Sequence, residues 1–152
     1  MLVFQIKQVQ VLPMALSEAW TFFCDPRNLG TITPDWLCFD IRSEAPPYMY
    51  PGCIIEYRIR ALAGLPMTWV TEITHVAAPH SFVDEQRFGP YRFWHHQHHF
   101  LEVSGGVEMR DIVHYILPFG INGRLSAPVV AKRLKAIFDY RRDTLAARFA
   151  AL

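Results

Sequence analysis

The chain has 152 residues, of which 51% are hydrophobic, 14% aromatic and 19% charged, and its formal net charge is +1. This length is ample for one hydrophobic core without disulfide or metal staples but too short for two, so we predict a single domain over residues 1–152. Fifteen Lys and Arg against fourteen Asp and Glu create no long-range field that would attract nucleic acid, and we expect no nucleic-acid partner.

The N-terminal part predicts one strand followed by two short helices. Residues 3–11 alternate apolar and polar side chains, as a half-buried strand does, and Pro13 ends this run. Ser17 precedes an aromatic run at residues 18–23, which predicts a short helix with Ser17 as its N-cap. A second short helical turn is expected before Pro34.

From Leu37 to Pro118 the sequence is typical of strands separated by turns that contain Gly and Pro. The predicted strands cover residues 37–43, 53–62, 67–77, 81–88, 91–103 and 107–117. They are rich in β-branched and aromatic residues. Because the connections are mostly too short for a parallel crossover, we predict an antiparallel meander.

The last segment predicts one long amphipathic helix from about residue 123 to the C-terminus. Its apolar residues recur at helical spacing between basic ones. They are Leu125, Val129, Val130, Leu134, Ile137, Phe138, Leu145 and Phe149. Only the sheet is large enough to cover this stripe, so we predict an α+β fold in which a curved antiparallel sheet of about seven strands wraps around the helix.

Short motifs over nearly the whole chain carry a family resemblance. They are Asp25-Pro26-Arg27-Asn28-Leu29 with Ile32-Thr33-Pro34, Tyr50-Pro51-Gly52, Thr71-Glu72-Ile73-Thr74, Phe82-Val83-Asp84-Glu85-Gln86, Gly89-Pro90-Tyr91 with Trp94-His95-His96, Leu117-Pro118-Phe119-Gly120 and Phe138-Asp139-Tyr140-Arg141-Arg142. Together they resemble the START-like, or SRPBCC, superfamily, which includes polyketide cyclases and coenzyme-Q-binding proteins. Within it the chain is most similar to small bacterial SRPBCC or cell-division-inhibitor-like proteins. The resemblance implies the helix-grip fold, with a deep hydrophobic cavity between sheet and long helix that holds lipids, sterols, quinones or polyketides in relatives.

Alternation along the strands predicts a polar cluster in the interior. One face of the strand at residues 91–103 has an aromatic side chain at each end, and we assign that face inward. The residues assigned inward from this strand and the next are Trp94, His96, His98, Phe100, Val107, Met109, Asp111, Val113 and Tyr115. The phase of residues 81–88 is ambiguous, and Phe82, Asp84 and Gln86 are placed inside provisionally.

Two interpretations of this cluster stay open. A buried carboxylate is costly unless it is paired, so Asp84 and Asp111 should each meet a histidine, an arginine or a hydroxyl, or take up a proton. The group can be a buried network that fixes strand register, or His96 and His98 with Asp111 can serve as catalytic base and acid. We predict no native metal site, because His96 and His98 lack regularly spaced third and fourth ligands.

The predicted ligand-binding set extends over four strands and the helix. It consists of Trp69, Ile73, Asp84, Gln86, Trp94, Phe100, Met109, Val113, Tyr115, Leu134, Phe138 and Arg141. Glu72 lies on the other phase of its strand and is a candidate only because the resembling subgroup carries an acid there. Arg58 and Arg60 share a strand face with Glu56. Either this face is solvated, or one of the two arginines anchors a ligand carboxylate at the cavity mouth.

The remaining features concern the compartment and partners. Cys24, Cys38 and Cys53 lack C-x-x-C spacing and are expected to be free thiols in a reducing cytoplasm. The N-terminus has no signal-peptide pattern, and no window reaches the ~20 apolar residues of a membrane span. We therefore expect a cytoplasmic monomer or homodimer, with peripheral membrane contact left open.

Three functions are compatible with these observations. The first is binding of a mainly hydrophobic small molecule, such as a lipid, a quinone or a polyketide-like compound, in the cavity, with no cofactor. The second is a cyclase, dehydratase or isomerase that uses the His/Asp pair. The third, a regulatory interaction protein, is implied only by the name that similar proteins carry.

Overall fold

A computed structural model describes residues 2–62, 64–118 and 120–150. The strands are β1 (Phe4–Leu12), β2 (Asp40–Ile41), β3 (Cys53–Leu62), β4 (Leu65–Ala77), β5 (Ser81–Phe88), β6 (Phe93–Val103) and β7 (Gly106–Ile116). The helices are α1 (Leu16–Phe23) and α2 (Gly120–Phe149), and two 3-10 helices cover Pro26–Ile32 and Asp35–Leu37. The described strands form one open, curved antiparallel sheet in the order β1-β7-β6-β5-β4-β3-β2, and with α2 they confirm the predicted α+β helix-grip architecture.

The central strands β5, β6 and β7 position the polar cluster. Buried and less buried side chains alternate along β6 and β7, and this confirms the inward phase predicted for both strands. In the β5–β6 pair Asp84 lies opposite His96, and in the β6–β7 pair His98 lies opposite Asp111. Directly opposite residues on one face are close enough for their side chains to interact. Sheet register therefore brings two histidines and two carboxylates together.

The segment between α1 and β3 differs from the prediction. The strand predicted at residues 37–43 is present only as the two-residue β2, because this segment begins in a 3-10 helix and only Asp40 and Ile41 pair with β3. Cys38 interrupts any longer strand, since its φ of 47° is in the left-handed region. Ser17 is not the N-cap of α1 either. The helix begins at Leu16, where the N–H of Ala15 donates to the Glu18 carboxylate.

Helix α2 packs one side against the sheet. Its buried side chains in the described part of the helix include Val130, Leu134, Phe138, Arg141 and Leu145. The predicted apolar stripe is too wide, because Leu125 is 80% and Val129 69% exposed. Consecutive helical residues point about 100° apart, so Val129 cannot share the sheet-facing line that Val130 occupies. The helix starts at Gly120, three residues before the predicted position, and residues 151–152 lie outside the described part of the chain.

Two hydrophobic cores lie on either side of the polar cluster. The α1 core includes Phe82, Phe100, Val107 and Met109, which pack beneath α1. The α2 core consists of Trp94, Val113, Tyr115, Leu117, Val130, Leu134 and Phe138. Along β6 and β7 the cluster therefore occupies the positions where one core gives way to the other. Among the described helices, none has the length and apolar character needed to cross a membrane.

Candidate functional site

A cavity of about 170 Å³ lies between the inner face of the sheet, α2 and the segment around the first 3-10 helix. Its wall is mainly aromatic and aliphatic. The aromatic lining includes Phe39, Trp69, Phe82, Tyr91, Trp94 and Phe138. Polar lining comes from the sheet through Asp84, His96 and His98 and from α2 through Arg141. An apolar wall with a few convergent polar groups is typical of a small-molecule site.

Asp84 is the carboxylate on the cavity side of the cluster. His98 Nε2 lies 2.7 Å from Asp84 Oδ2, and His96 Nδ1 lies 3.4 Å from the same oxygen. The Asp84 side chain is 17% exposed, whereas those of the two histidines are 6% and 9% exposed. Of the three side chains, Asp84 is therefore the one with most freedom to adjust.

Asp111 is the carboxylate behind the histidines, and it is 1% exposed. His96 Nε2 lies 2.9 Å from Asp111 Oδ1, and His98 Nδ1 lies 3.0 Å from that oxygen. Arg141 Nη1 approaches it at 3.9 Å. Each imidazole thus contacts Asp84 with one ring nitrogen and Asp111 with the other. Both carboxylates therefore meet histidines, which is one of the pairings expected from the sequence.

Aromatic contacts fix the orientation of both imidazole rings. The ring centroids of His96 and His98 are 3.8 Å apart. Phe82 stacks on His98 with ring centroids 4.1 Å apart, and Phe138 meets His96 edge-on at 5.8 Å. The rings therefore have little room to rotate away from the carboxylates.

Burial and pairing act in opposite directions on these groups. Burial alone would raise the carboxyl pKa of Asp84 and of Asp111, but the charges and hydrogen bonds of the two histidines hold both pKa values below the usual range. Burial lowers the pKa of His96, and the neighbouring His98 charge lowers it further. For His98 burial also disfavours the charged form, yet its bonds to Asp111 and Asp84 outweigh this and raise its pKa. The two carboxylates therefore favour the charged form of His98, and Arg141 approaches Asp111 from α2.

Most of the predicted site residues line the cavity. Those on its wall are Trp69, Ile73, Asp84, Trp94, His96, His98, Leu134, Phe138 and Arg141. Asp111 contacts the cavity only through the histidines. Glu72 pairs with Arg87 on the outer face of the sheet, and Arg58 and Arg60 are exposed, which agrees with the solvated interpretation of that face.

Five predicted ligand contacts lie away from the cavity. They are Gln86, Phe100, Met109, Val113 and Tyr115. Phe100 is covered by α1, with its ring 6.0 Å from Trp20 and 5.2 Å from Phe23. Met109 packs in the same core, and Val113 and Tyr115 in the α2 core.

Gln86 has a local structural partner instead of a ligand. Its Nε2 donates to the carbonyl of Tyr91 at 2.6 Å, and its Oε1 accepts from the N–H of Tyr91 at 3.2 Å. These bonds close the connection between β5 and β6. The side chain therefore places Tyr91, which does line the cavity.

Sequence reasoning missed the part of the wall around the first 3-10 helix and β3. Asp25, Asn28 and Tyr57 line the cavity. Asp25 and Asn28 belong to the motif Asp25-Pro26-Arg27-Asn28-Leu29. Its residue pattern does not indicate that this segment covers the inner face of the sheet. Asp25 caps the 3-10 helix by accepting from the N–H of Arg27. Tyr57 was detectable, because it shares its strand phase with Ile55 and Ile59, both buried.

Comparison with solved structures supports the fold. The chain is 14% identical to protein CV1439 from Chromobacterium violaceum, with a TM-score of 0.72 over 95% of this chain and 96% of that one. It is 16% identical to a protein from Rhodobacter sphaeroides, with a TM-score of 0.71 over 97% and 93% of the two chains. For Ara h 8.0201 the identity is 11% and the TM-score 0.60, over 95% and 99%. No protein-family profile and no curated protein sequence matches. The chain therefore has a helix-grip-like fold.

Proposed function

We propose that the protein is an SRPBCC-type domain that binds a mainly hydrophobic small molecule, lipid-, quinone- or polyketide-like, in the cavity between sheet and α2. The observation that carries this proposal is the aromatic cavity with the His/Asp cluster on one wall. The fold shared with Ara h 8.0201, which is Bet v 1-like, supports it. The motifs quoted above support the superfamily assignment.

The size of the cavity restricts how much of a ligand is enclosed. Its volume of about 170 Å³ is close to the ~150 Å³ of an engineered protein cavity that takes up benzene. One ring or a short alkyl segment therefore fits inside, and the rest of a larger ligand extends toward the opening. Trp69, Tyr91 and Trp94 contact one another with ring centroids 4.8–5.6 Å apart, and they offer an aromatic wall for such a ring.

Arg141 provides a polar anchor for the enclosed part. Its side chain lines the cavity, and within the described part of the chain its buried Nε has no hydrogen-bond partner. A buried donor without a partner is costly, so an oxygen atom on the ligand that accepts from it stabilises the complex. We therefore expect a ligand with an apolar body and a carbonyl, hydroxyl or ether oxygen.

Native mass spectrometry of freshly purified protein tests this function. We expect a retained compound on the intact chain and, after its removal, quenching of Trp69 and Trp94 fluorescence when it is added back. Ile137→Trp fills the cavity from α2 and should abolish retention. Val129→Trp makes the same change on the exposed side of that helix and should leave retention intact. Equal retention by both variants would contradict binding in this cavity.

Acid–base catalysis is a second candidate, favoured by the two histidines that line the cavity with carboxylates as partners. A His/Asp pair within reach of a bound carbonyl compound is competent for proton transfer. Incubation of the identified ligand with the protein should then yield an isomer, a dehydration product or a cyclised product. Unchanged turnover in His96→Ala and Asp111→Ala would exclude this mechanism.

A further inference from the structure

The ring nitrogens of the two histidines divide into a cavity side and a buried side. His96 Nδ1 and His98 Nε2 face Asp84 Oδ2 at 3.4 and 2.7 Å, and the three residues each offer one ligand atom within 4.8 Å of the others. The other two ring nitrogens face Asp111 Oδ1 at 2.9 and 3.0 Å. We call Asp84, His96 and His98 the inner triad. All three of its side chains line the cavity.

We propose that the inner triad binds one divalent first-row transition-metal ion, with the remaining coordination positions open to the cavity. Two imidazoles and one carboxylate are a ligand set that suits zinc and iron(II). Three protein ligands with an open position are typical of metal sites that bind a substrate or water, whereas purely structural zinc sites are closed by four.

The arrangement behind the triad is the strongest support for this proposal. Metal-binding histidines almost always donate their second ring N–H to a carboxylate, a carbonyl or water, which fixes the ring and the nitrogen left for the metal. Asp111 accepts from that position for His96, and its same oxygen lies within ion-pair distance of His98. One buried carboxylate therefore orients both rings, so that His96 Nδ1 and His98 Nε2 point toward Asp84.

The distances leave space for an ion after a small adjustment. Ligand atoms at ~2.1 Å from a tetrahedral metal are separated by about 3.4 Å. The separation of 3.4 Å between His96 Nδ1 and Asp84 Oδ2 already fits this spacing. His98 Nε2 at 2.7 Å requires Asp84 to move outward by less than one ångström, and Asp84 is the most exposed of the three side chains. A metal ion binds His98 in its neutral form and displaces any proton it carries, so the cluster then has two carboxylates against the single guanidinium of Arg141 and accommodates a dication.

Sequence reasoning predicted no metal site, because the spacing of His96 and His98 offers no third ligand. The third ligand comes from another strand, since the β5–β6 register places Asp84 opposite His96. This inference does not depend on the apolar ligand, because metal binding is measured without it.

Metal titration of the full chain after dialysis against EDTA tests the proposal. We expect one equivalent of Zn²⁺ by calorimetry and one of Co²⁺, with visible absorption bands from nitrogen and oxygen ligands. Asp84→Asn and His96→Ala should weaken binding about 100-fold or more, and Asp111→Asn by about 10- to 100-fold through lost ring orientation. His95→Ala and His99→Ala remove histidines from the other face of β6 and should leave stoichiometry and affinity unchanged.

Circular dichroism of each variant without metal tests whether it is folded. If a variant is unfolded, His98→Gln is used in its place. Wild-type affinity in Asp84→Asn would overturn the proposal, as would an equal loss in His95→Ala and His99→Ala, which would identify surface binding. Neither of these metal-binding results changes whether native mass spectrometry detects a retained apolar compound. The metal-site proposal and the proposed ligand binding can therefore be rejected independently of each other.

Discussion

The two faces of β6 carry the same residue type in two different environments. The inner histidines, His96 and His98, are buried, and each contacts two carboxylates. The outer histidines, His95 and His99, are half-buried, and their nearest polar partners are Glu85 at 3.7 Å and Gln97 at 3.1 Å. Strand alternation alone separates the two pairs.

Burial determines how much each histidine pairing contributes to stability. Water screens a charged pair on the outer face, and such pairs contribute little to stability. On the inner face the groups are buried, so removal of one leaves its neighbours charged or unsatisfied in a mainly apolar surrounding. The inner face is therefore where substitution should have large effects on both stability and binding.

The largest effect is expected when the shared inner carboxylate is neutralised. Asp111→Asn keeps the shape of the side chain but removes the charge that His98 and Arg141 share, so that of the two carboxylates only Asp84 still faces them. We expect a loss of about 3–5 kcal/mol in the free energy of unfolding. Glu85→Gln is the matched change beside His95 on the outer face and should cost about 0–1 kcal/mol. Urea unfolding in the presence of EDTA measures both. Similar losses in the two variants would contradict the distinction between the faces.

The pH dependence of stability should also separate the faces in metal-free protein. Because the pKa values of Asp84 and Asp111 are lowered in the fold, their contribution is present above the ordinary value of 3.8 and is lost as the pH falls further. The pKa of His98 is raised from 6.5, so its contribution is present below that pH and is lost as the pH rises through the folded value.

His96 acts in the opposite sense from His98. Its pKa is lowered, so the folded state resists its protonation and stability decreases as the pH falls below 6.5. Urea unfolding from pH 3 to 9 in EDTA should therefore show losses on both sides of a maximum. Asp111→Asn should weaken the acid-side dependence and His98→Gln the alkaline-side dependence. A wild-type profile in both variants would show that these groups do not govern it.

The sequence predicts the parts of the site that follow from local periodicity. The inward phase of Trp94, His96, His98 and Phe100 follows from alternation between two aromatic ends. The long helix follows from its apolar spacing, although Leu125 and Val129 show that the width of the covered stripe depends on the sheet.

Other parts depend on long-range geometry. The phase of Asp84 was ambiguous because β5 has no clear alternation of its own, and only pairing with β6 shows that it meets the histidines. The left-handed backbone conformation of Cys38 breaks an otherwise strand-like run. The residue types around Cys38 do not indicate this conformation. Closure of the cavity by the Asp25–Leu29 motif likewise requires the tertiary structure.

A smaller effect is expected at the phenylalanines that stack on the histidines. Phe82 stacks on His98 at 4.1 Å inside, and Phe93 stacks on His95 at 6.3 Å outside. Phe82→Leu should cost about 1–2 kcal/mol, because it removes buried aromatic contact and loosens the His98 ring. Phe93→Leu should change stability by about 0.5 kcal/mol or less, since Phe93 is 40% exposed. Equal losses in urea unfolding would show that the inner stacking has no special role.

The smallest effect is expected from the outer histidines themselves. In the double variant with His95→Ala and His99→Ala, Glu85 keeps the partner Arg87 at 3.2 Å, and Gln97 gains water in place of His99. No buried charge loses its counterpart, so the free energy of unfolding should stay within about 0.5 kcal/mol of wild type. The same experiment on His96→Ala should show a loss several times larger, because Asp111 then loses the donor that meets it at 2.9 Å. A loss above about 1 kcal/mol in the outer double variant would mean that both faces of β6 contribute to stability through their histidines, and the inner cluster would then lose its distinct role.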